Sequence, residues 1–560
     1  MGIFETSIRD LAQQLDAGTL RAVDLVAQCF DRIQRFDRAG PCLNAVPVLN
    51  PAALDEARAS DQRRAQGRAL GLLDGIPYTA KNSFKVKGLT VACGAPAFAN
   101  LVAQDDAFAI KRLRAAGAIL IGLTNMPPMA NGGMQRGLYG RAESPYNPAF
   151  LTSAFASGSS NGSGSATAAG FATFGLGEET WSSGRAPAAN NGLCAYTPSR
   201  GVISVRGNWP LVPTMDVVVP HTRSMADMLD VLDVIVADDP LCRGDFWRAQ
   251  PWVPIPTAAS HRPACYAALA TGAALAGKRF GVPAMYINQD PLAGTNPKGG
   301  IGGATGQKIS TRPSMLALFQ AACAAITAAG GQVVVTDFPL VSNYEADRPG
   351  APSIKTRGLV SEAFLKREIN DLSAWAWDDF LRANNDPGLN RLADVDGANI
   401  FPPPPGALPD CYYGFDDDIA TYPDHIRNTP IARFEDIPTL ADGLRGLETT
   451  RKQDLEDWMD HLHLDAVIFP AVADIGPADS DTNPASADLA WRNGVWVANG
   501  NLAIRHMGVP TVTVPMGVLA DIGMPAGLTF AGRGWQDAQL LGLAAAFERT
   551  GPYRVAPNLG

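Results

Sequence analysis

Along the first third of the chain, apolar positions recur with a helical period and then gather into short strands. Residues 20–36 place Leu20, Val23, Leu25, Val26, Phe30 and Ile33 near one helical face, and residues 107–116 form a second amphipathic segment. Ala118-Ile-Leu-Ile-Gly-Leu123 is an apolar run of strand length closed by turn residues. The same grammar returns near the C-terminus. Asp465-Ala-Val-Ile-Phe-Pro470 and Thr511-Val-Thr-Val-Pro515 read as strands, and Asp537 to Arg549 as a closing helix. The longest apolar stretch, Leu316 to Val335, is interrupted by Gln320, Gly330, Gly331 and Gln332, so it reads as a core helix running into a strand and not as a membrane span. Helix and strand alternating in this way predict an α/β fold with a largely covered sheet.

The middle of the chain breaks the pattern. Residues 239–265 are rich in Pro and Arg, residues 294–306 are glycine-rich, and residues 396–418 carry Phe401 followed by four prolines, then Cys411-Tyr-Tyr-Gly-Phe415 and Asp416-Asp-Asp418. Loops of this length serve as surface insertions or shape a substrate entrance, and 411–415 is the stretch best suited to the second task. The 560 residues by themselves predict three or four domains. Composition is that of a globular protein, 46% apolar and 18% charged, but 56 glycines and 43 prolines argue against a helical bundle or solenoid. A net charge of −9 argues against nucleic acid as partner, since phosphate binding needs a basic face. The eight cysteines form no C-x-x-C pair, which excludes a zinc ribbon and favours a reduced, cytoplasmic setting. The first residues lack a cationic region followed by an apolar core, so no signal peptide is expected.

The segment that carries chemistry is Ser157-Gly-Ser-Ser-Asn-Gly-Ser-Gly-Ser-Ala-Thr-Ala-Ala-Gly-Phe171, followed by a second turn, Gly175-Leu-Gly-Glu-Glu-Thr-Trp-Ser-Ser-Gly-Arg-Ala-Pro-Ala188. Small residues here suit a helix start whose N–H groups face a reacting group. A phosphate loop would need Gly-x-x-x-x-Gly-Lys-Ser/Thr, which neither 157–165 nor 294–308 supplies. A nucleophile elbow is satisfied by Gly158-Ser-Ser-Asn-Gly162 with Ser160 at its centre, but it requires a preceding strand, which Leu151 to Ala156 makes poorly, and a later histidine such as His461 or His506.

Residues 157–187 resemble the signature of the amidase signature family. The family's Gly-Gly-Ser-Ser-Gly-Gly-Ser run, small residues, and second Gly-Gly-Ser before Arg and Pro fall here without gaps. Upstream, Leu73-Asp-Gly-Ile-Pro-Tyr-Thr-Ala-Lys81 resembles the strand leading to the family's lysine, and Gly122-Leu-Thr-Asn-Met126 its Gly-Lys-Thr-Asn segment. Gly508 to Pro515, Met524 to Leu528 and Gln536 to Leu541 resemble its C-terminal blocks. The likeness covers about residues 5–230 and 460–550.

The resemblance implies one large α/β/α sandwich over residues 1–560, a large mixed sheet covered by helices, with a signature core at about 70–215 and insertions at about 239–265, 288–312 and 390–435. It implies a Ser-cisSer-Lys triad in which Ser183 is the nucleophile, Ser159 the bridging serine after a cis peptide bond, and Lys81 the base. Ser159 and Ser183 stand 24 residues apart, as in the family. Burial would let Lys81 accept a proton. The N–H groups of Thr180, Trp181, Ser182 and Ser183 would form the oxyanion hole. Glu179 and Arg185 would brace that turn. Ala130, Asn131, Gly132 and Trp181 are the substrate contacts expected. Three departures bear on substrate scope: Trp181-Ser182 replaces the usual Gly-Gly, Asn82 an Asp, and Asn161 a Gly. His221 and His506 read as core or turn residues, and His461-x-His463 as a solvated face. The expected activity is hydrolysis of the C–N bond of a small-molecule amide, anilide or carbamate through an acyl-enzyme, without metal or cofactor, in a cytoplasmic protein that contacts neither membrane nor nucleic acid; a homodimer is the assembly considered. The alternatives are an amidotransferase subunit, an α/β-hydrolase-type esterase using Ser160, and a non-catalytic binding protein.

Overall fold

The apolar runs from both ends of the chain meet in one sheet. The computed structural model describes residues 3–297, 308–410 and 418–559, and among them eleven strands pair: β1 (Val48–Leu49), β2 (Pro77–Lys81), β3 (Ile119–Thr124), β4 (Phe174–Glu179), β5 (Cys194–Thr197), β6 (Val217–Thr222), β7 (Arg279–Pro283), β8 (Gln332–Thr336), β9 (Ala466–Pro470), β10 (Thr511–Val518) and β11 (Pro525–Ala531). Their order is β1-β3-β2-β4-β6-β5-β10-β11-β9-β7-β8. The sheet is mixed. β2 runs parallel to β3 and β4, and β7 parallel to β8 and β9. From β4 through β6, β5, β10 and β11 to β9 the pairs are antiparallel. β2, β3, β6 and β9 are buried along their whole length, as expected of a sheet sandwiched between helices.

The amphipathic segments become helices on this sheet. Helix Ala22–Phe36 buries Leu25, Val26, Cys29 and Ile33, and helix Asp537–Glu548 buries Leu540, Leu541 and Phe547. The stretch 316–335 is a helix, Pro313–Ala328, running into β8, but it lies at the margin of the core. The helix buries only Met315, Phe319, Ala322 and Ile326, and β8 ends the sheet with Val335 exposed. No described helix is long and apolar enough to cross a membrane.

The middle segments do not hang on the surface. A second, aromatic-rich core holds Phe246 and Trp247, Phe364, Trp377 and Tyr422 together with Trp209 and Trp496. Residues 411–415, expected at the substrate entrance, lie outside the described residues, as do 298–307 of the glycine-rich loop.

The Ser/Gly-rich segment has a packing reason. Helix Asn161–Ala168 is buried at every residue. A Cβ on Gly162 would stand 2.4 Å from the Asn125 backbone nitrogen, and one on Gly175 of β4 would stand 2.7 Å from the hydroxyls of Ser163 and Thr167. Helix and strand approach closely only because these side chains are small or absent.

Candidate active site

Lys81 closes β2, and parallel β4 ends beside it, so the carboxyl ends of both strands open on one crevice, where α/β sheets place their ligands. The side chain is fully buried, and its Nζ donates to Ser159 Oγ at 2.7 Å. Burial pushes the Lys81 ammonium below its usual range, and the Glu178 carboxylate, 3.8 Å away, opposes that shift. Ser159 and Ser160 lead into helix Asn161–Ala168, and the turn carrying Ser183 follows β4. Three hydrogen bonds staple the two turns: Ser160 N–H to Ser183 O at 3.3 Å, Ser182 N–H to Ser157 Oγ at 3.2 Å, and Ser182 Oγ to Ser157 O at 2.6 Å. The fold thus brings Lys81, Ser159 and Ser183 into one cluster.

Two expectations change. The peptide bonds of the described residues are all trans, the one before Ser159 included; this is the low-energy form for a non-proline residue, and it already carries Ser159 Oγ to Lys81. The Ser182 N–H is taken by Ser157, so of the four oxyanion donors named from the sequence it is not open to a ligand.

The brace of the turn is a buried ion pair. Arg185 Nε donates to Glu179 Oε1 at 2.8 Å with both side chains fully buried. The other Glu179 oxygen accepts the N–H groups of Gly184 and Arg185, and the guanidinium also reaches the carbonyls of Trp181 and Asn499 at 2.6 and 2.5 Å. His221 supports the same turn. Its Nε2 must donate to the Gly184 carbonyl (2.9 Å), which leaves Nδ1 to accept from Ser163 Oγ (3.0 Å). Burial holds this neutral imidazole down at about 4. Ser160 is no free nucleophile: its hydroxyl donates to Glu178 O and accepts from Glu178 N–H, no strand precedes it, and His506 bonds instead to Tyr344 and Glu368.

A cavity of about 770 Å³ opens beside the cluster, with Lys81, Glu178, Thr180, Asp216 and Ala130 on its wall. Ser159 and Ser183 lie behind that wall, Ser183 3% exposed. Trp209 and Phe380, stacked with centroids 4.1 Å apart, and Trp375 against Phe434 supply an aromatic side. Segments 239–265 and 390–435 both contribute to this wall through Phe246 and Phe434. Ala130 is thus the sequence-predicted contact that faces the cavity, in a left-handed backbone conformation (φ 59°) that strains a non-glycine residue. Asn131 and Gly132 stand off the wall. Trp181 is turned from it and packs edge-on against Trp496, because an indole finds its burial among apolar rings and not beside the charged end of β4.

Two carboxylates escaped sequence reading. Glu178 accepts from Ser83 Oγ and Asn208 Nδ2, and Asp216 accepts from Thr180 Oγ1 at 2.6 Å and the Leu211 N–H at 2.8 Å. Burial pushes the Asp216 carboxyl up to about 7. A signal for the first existed: adjacent acids at the end of an apolar strand point to opposite faces, one to Arg185 and the other to Lys81. The departures Asn82 and Asn161 are also explained. Asn82 donates to Thr90 O and accepts from Gly94 N–H, and Asn161 donates to Gly133 O and accepts from Ala142 N–H, so each amide ties a loop from both sides as a carboxylate or a glycine would not.

Residues 24–256 match the model of the family described as Amidase. Over its whole length the chain superposes on the native peptide amidase of Stenotrophomonas maltophilia with a TM-score of 0.74 and 26% identity, covering 99% of both chains. Over residues 24–256 the chain carries the signature of the amidase family. It is 36% identical over 262 residues to an indoleacetamide hydrolase of Bradyrhizobium diazoefficiens, 45% of this chain and 47% of that protein. It is 31% identical over 245 residues to a glutamyl-tRNA(Gln) amidotransferase subunit of Endomicrobium trichonymphae, 43% and 49% of the two. The chain spans about half the length of the curated relatives it matches. A 6-aminohexanoate cyclic dimer hydrolase, 20% identical with a TM-score of 0.69 over 100% of this chain and 99% of that one, shares the fold.

Proposed function

We propose that this amidase-family protein hydrolyses the C–N bond of a small-molecule amide, anilide or carbamate through an acyl-enzyme on Ser183. The observation that carries the reading is the fully buried Lys81 Nζ held 2.7 Å from Ser159 Oγ, beside the turn that presents Ser183. A desolvated lysine has its proton affinity lowered toward the working range of a general base. Ser183 Oγ attacks the carbonyl carbon and forms a C–O bond, its proton passes to Ser159 Oγ, and the Ser159 proton passes to Lys81 Nζ. N–H groups of the turn after β4 stabilise the oxyanion; one such donor contributes about 3–4 kcal/mol. On collapse the C–N bond breaks, and the Lys81 proton returns through Ser159 to the leaving nitrogen. Water then enters by the same steps and releases the acid. The aromatic side of the cavity favours an amide with an aryl or long apolar group.

The test is a panel of aryl, alkyl and carbamate amides run on the wild type, Lys81→Ala and Ser183→Ala. Both variants are expected to lose turnover, and wild-type kcat/KM is expected to rise with pH along an acid limb set by a lysine, because only the unprotonated amine accepts the relay proton. Full activity in either variant refutes the mechanism. Failure of Ser183 to react with a fluorophosphonate in the folded wild type favours a binding protein, and co-purification with a second chain favours a role within an amidotransferase complex.

A further inference from the structure

The geometry points to Glu178 as a positioning residue for Lys81, one that orients the amine toward Ser159 and sets the pH above which it works; this rests on the reading of Lys81 as the base. Glu178 is anchored from two places outside its own strand. Ser83, two residues beyond Lys81, donates to Oε2, and Asn208, from the segment before β6, donates to Oε1. Both anchoring residues are buried, Ser83 completely. The carboxylate so fixed stops 3.8 Å from Lys81 Nζ. That is close enough for a strong Coulomb interaction in a site from which water is excluded. It is longer than a good hydrogen bond, so the short contact of the amine is the one to Ser159 at 2.7 Å.

Other ionisable groups face the same amine. Cys93, Asp216 and His221 all act on Lys81 or are acted on by it. Burial drives the Cys93 thiol well above its ordinary range and holds His221 at about 4, so both are neutral near pH 7. Asp216, raised to about 7, is only partly ionised there and spends its oxygens on Thr180 and two backbone N–H groups. Glu178 is the remaining carboxylate. Burial raises its own protonation range, while Lys81, Ser83 and Asn208 all pull it back toward ionisation.

The consequence for the relay is specific. Before attack, the amine is neutral beside an anion. After Ser159 has passed its proton to Nζ, an ammonium stands beside that anion, and the pair is net neutral. Glu178 therefore favours the proton-loaded state of Lys81. It strengthens the base and, for the same reason, keeps the base protonated to higher pH. The two groups titrate as a pair.

The readout is the rate at which a fluorophosphonate labels Ser183 as a function of pH, which needs no knowledge of the natural amide. It is measured on the full chain as wild type, Glu178→Gln, Glu178→Asp and Lys81→Ala. Loss of the anion in Glu178→Gln should move the acid limb to lower pH by about 1–3 units and lower the plateau, because a weaker base drives the transfer less. Glu178→Asp, which keeps the charge, should restore the limb to within about half a unit of wild type on the same scale. A merely structural role would lower the plateau without moving the limb. An unmoved limb in Glu178→Gln, with Lys81→Ala inert, overturns this proposal and leaves the lysine as base. Wild-type labelling in Lys81→Ala removes the base itself and the proposal with it. Glu178→Ala serves as the second neutral variant should Glu178→Gln fail to fold, with the same shift expected and the same unmoved limb overturning the proposal.

Discussion

Replacing Arg185 by methionine keeps a long apolar side chain and deletes the charge at the centre of the turn that carries Ser183. Three acceptors then lose short hydrogen bonds: Glu179 Oε1 at 2.8 Å, Trp181 O at 2.6 Å and Asn499 O at 2.5 Å. Glu179, itself fully buried, keeps only the N–H groups of Gly184 and Arg185. An orphaned buried acceptor costs about 1–3 kcal/mol, and removing one partner of a buried ion pair costs about 3–5 kcal/mol in total. These descriptions overlap, so about 3–5 kcal/mol is the expected loss for Arg185→Met. Urea unfolding should show it as a lower midpoint at unchanged slope. Adding Glu179→Gln in the same chain neutralises the stranded charge, and the double variant should recover part of the loss. Amide hydrogen exchange over residues 180–185 supplies the local readout, since a loosened turn opens before the sheet does. A loss below about 1 kcal/mol, within the range of substitutions that break nothing important, together with unchanged exchange, would refute the idea that this pair holds the turn.

Two further outcomes follow from the same geometry. His221 is neutral in the folded chain down to about 4, against 6.5 when free, so the stability it contributes is present above 6.5 and lost as pH falls through about 4; His221→Gln should make the acid-side loss in urea titrations smaller by about 3 kcal/mol, and an identical pH profile would sink that assignment. Gly162→Ala would drive a methyl group to within 2.4 and 2.6 Å of Asn125 backbone atoms and 2.8 Å of the Ala45 carbonyl. A destabilisation of about 1–3 kcal/mol or more, measured by chemical unfolding, is expected, and a neutral effect would contradict the tight packing of helix on sheet.

Much of the fold was legible because burial writes itself into local pattern. The runs at 118–123, 465–470 and 511–515 became β3, β9 and β10, and the segments 20–36, 107–116 and 537–549 became helices within a residue or two. Where local pattern misled, tertiary position was the cause. The stretch 316–335 has the apolarity of a core element, yet β8 ends the sheet and leaves Val335 half exposed. Trp181 directly precedes Ser182-Ser183 of the signature and looked like a wall of the site, yet its ring turns to Trp496.

The sequence by itself determined the likeness to the amidase family, the α/β layering and the spacing that brings Lys81, Ser159 and Ser183 forward as a set, because these are properties of short segments and of residue types at fixed separations. Only the tertiary structure decided what surrounds them. That Ser160 is spent on the Glu178 backbone, that Glu178 leans toward Lys81, and that segments near 246 and 434 wall the cavity all depend on chain distant in sequence. Local pattern sets which segments form strands and helices; which partner meets a residue there, and how deeply it is buried, is fixed by the sheet order, and in this chain that order joins strands from residue 48 to residue 531.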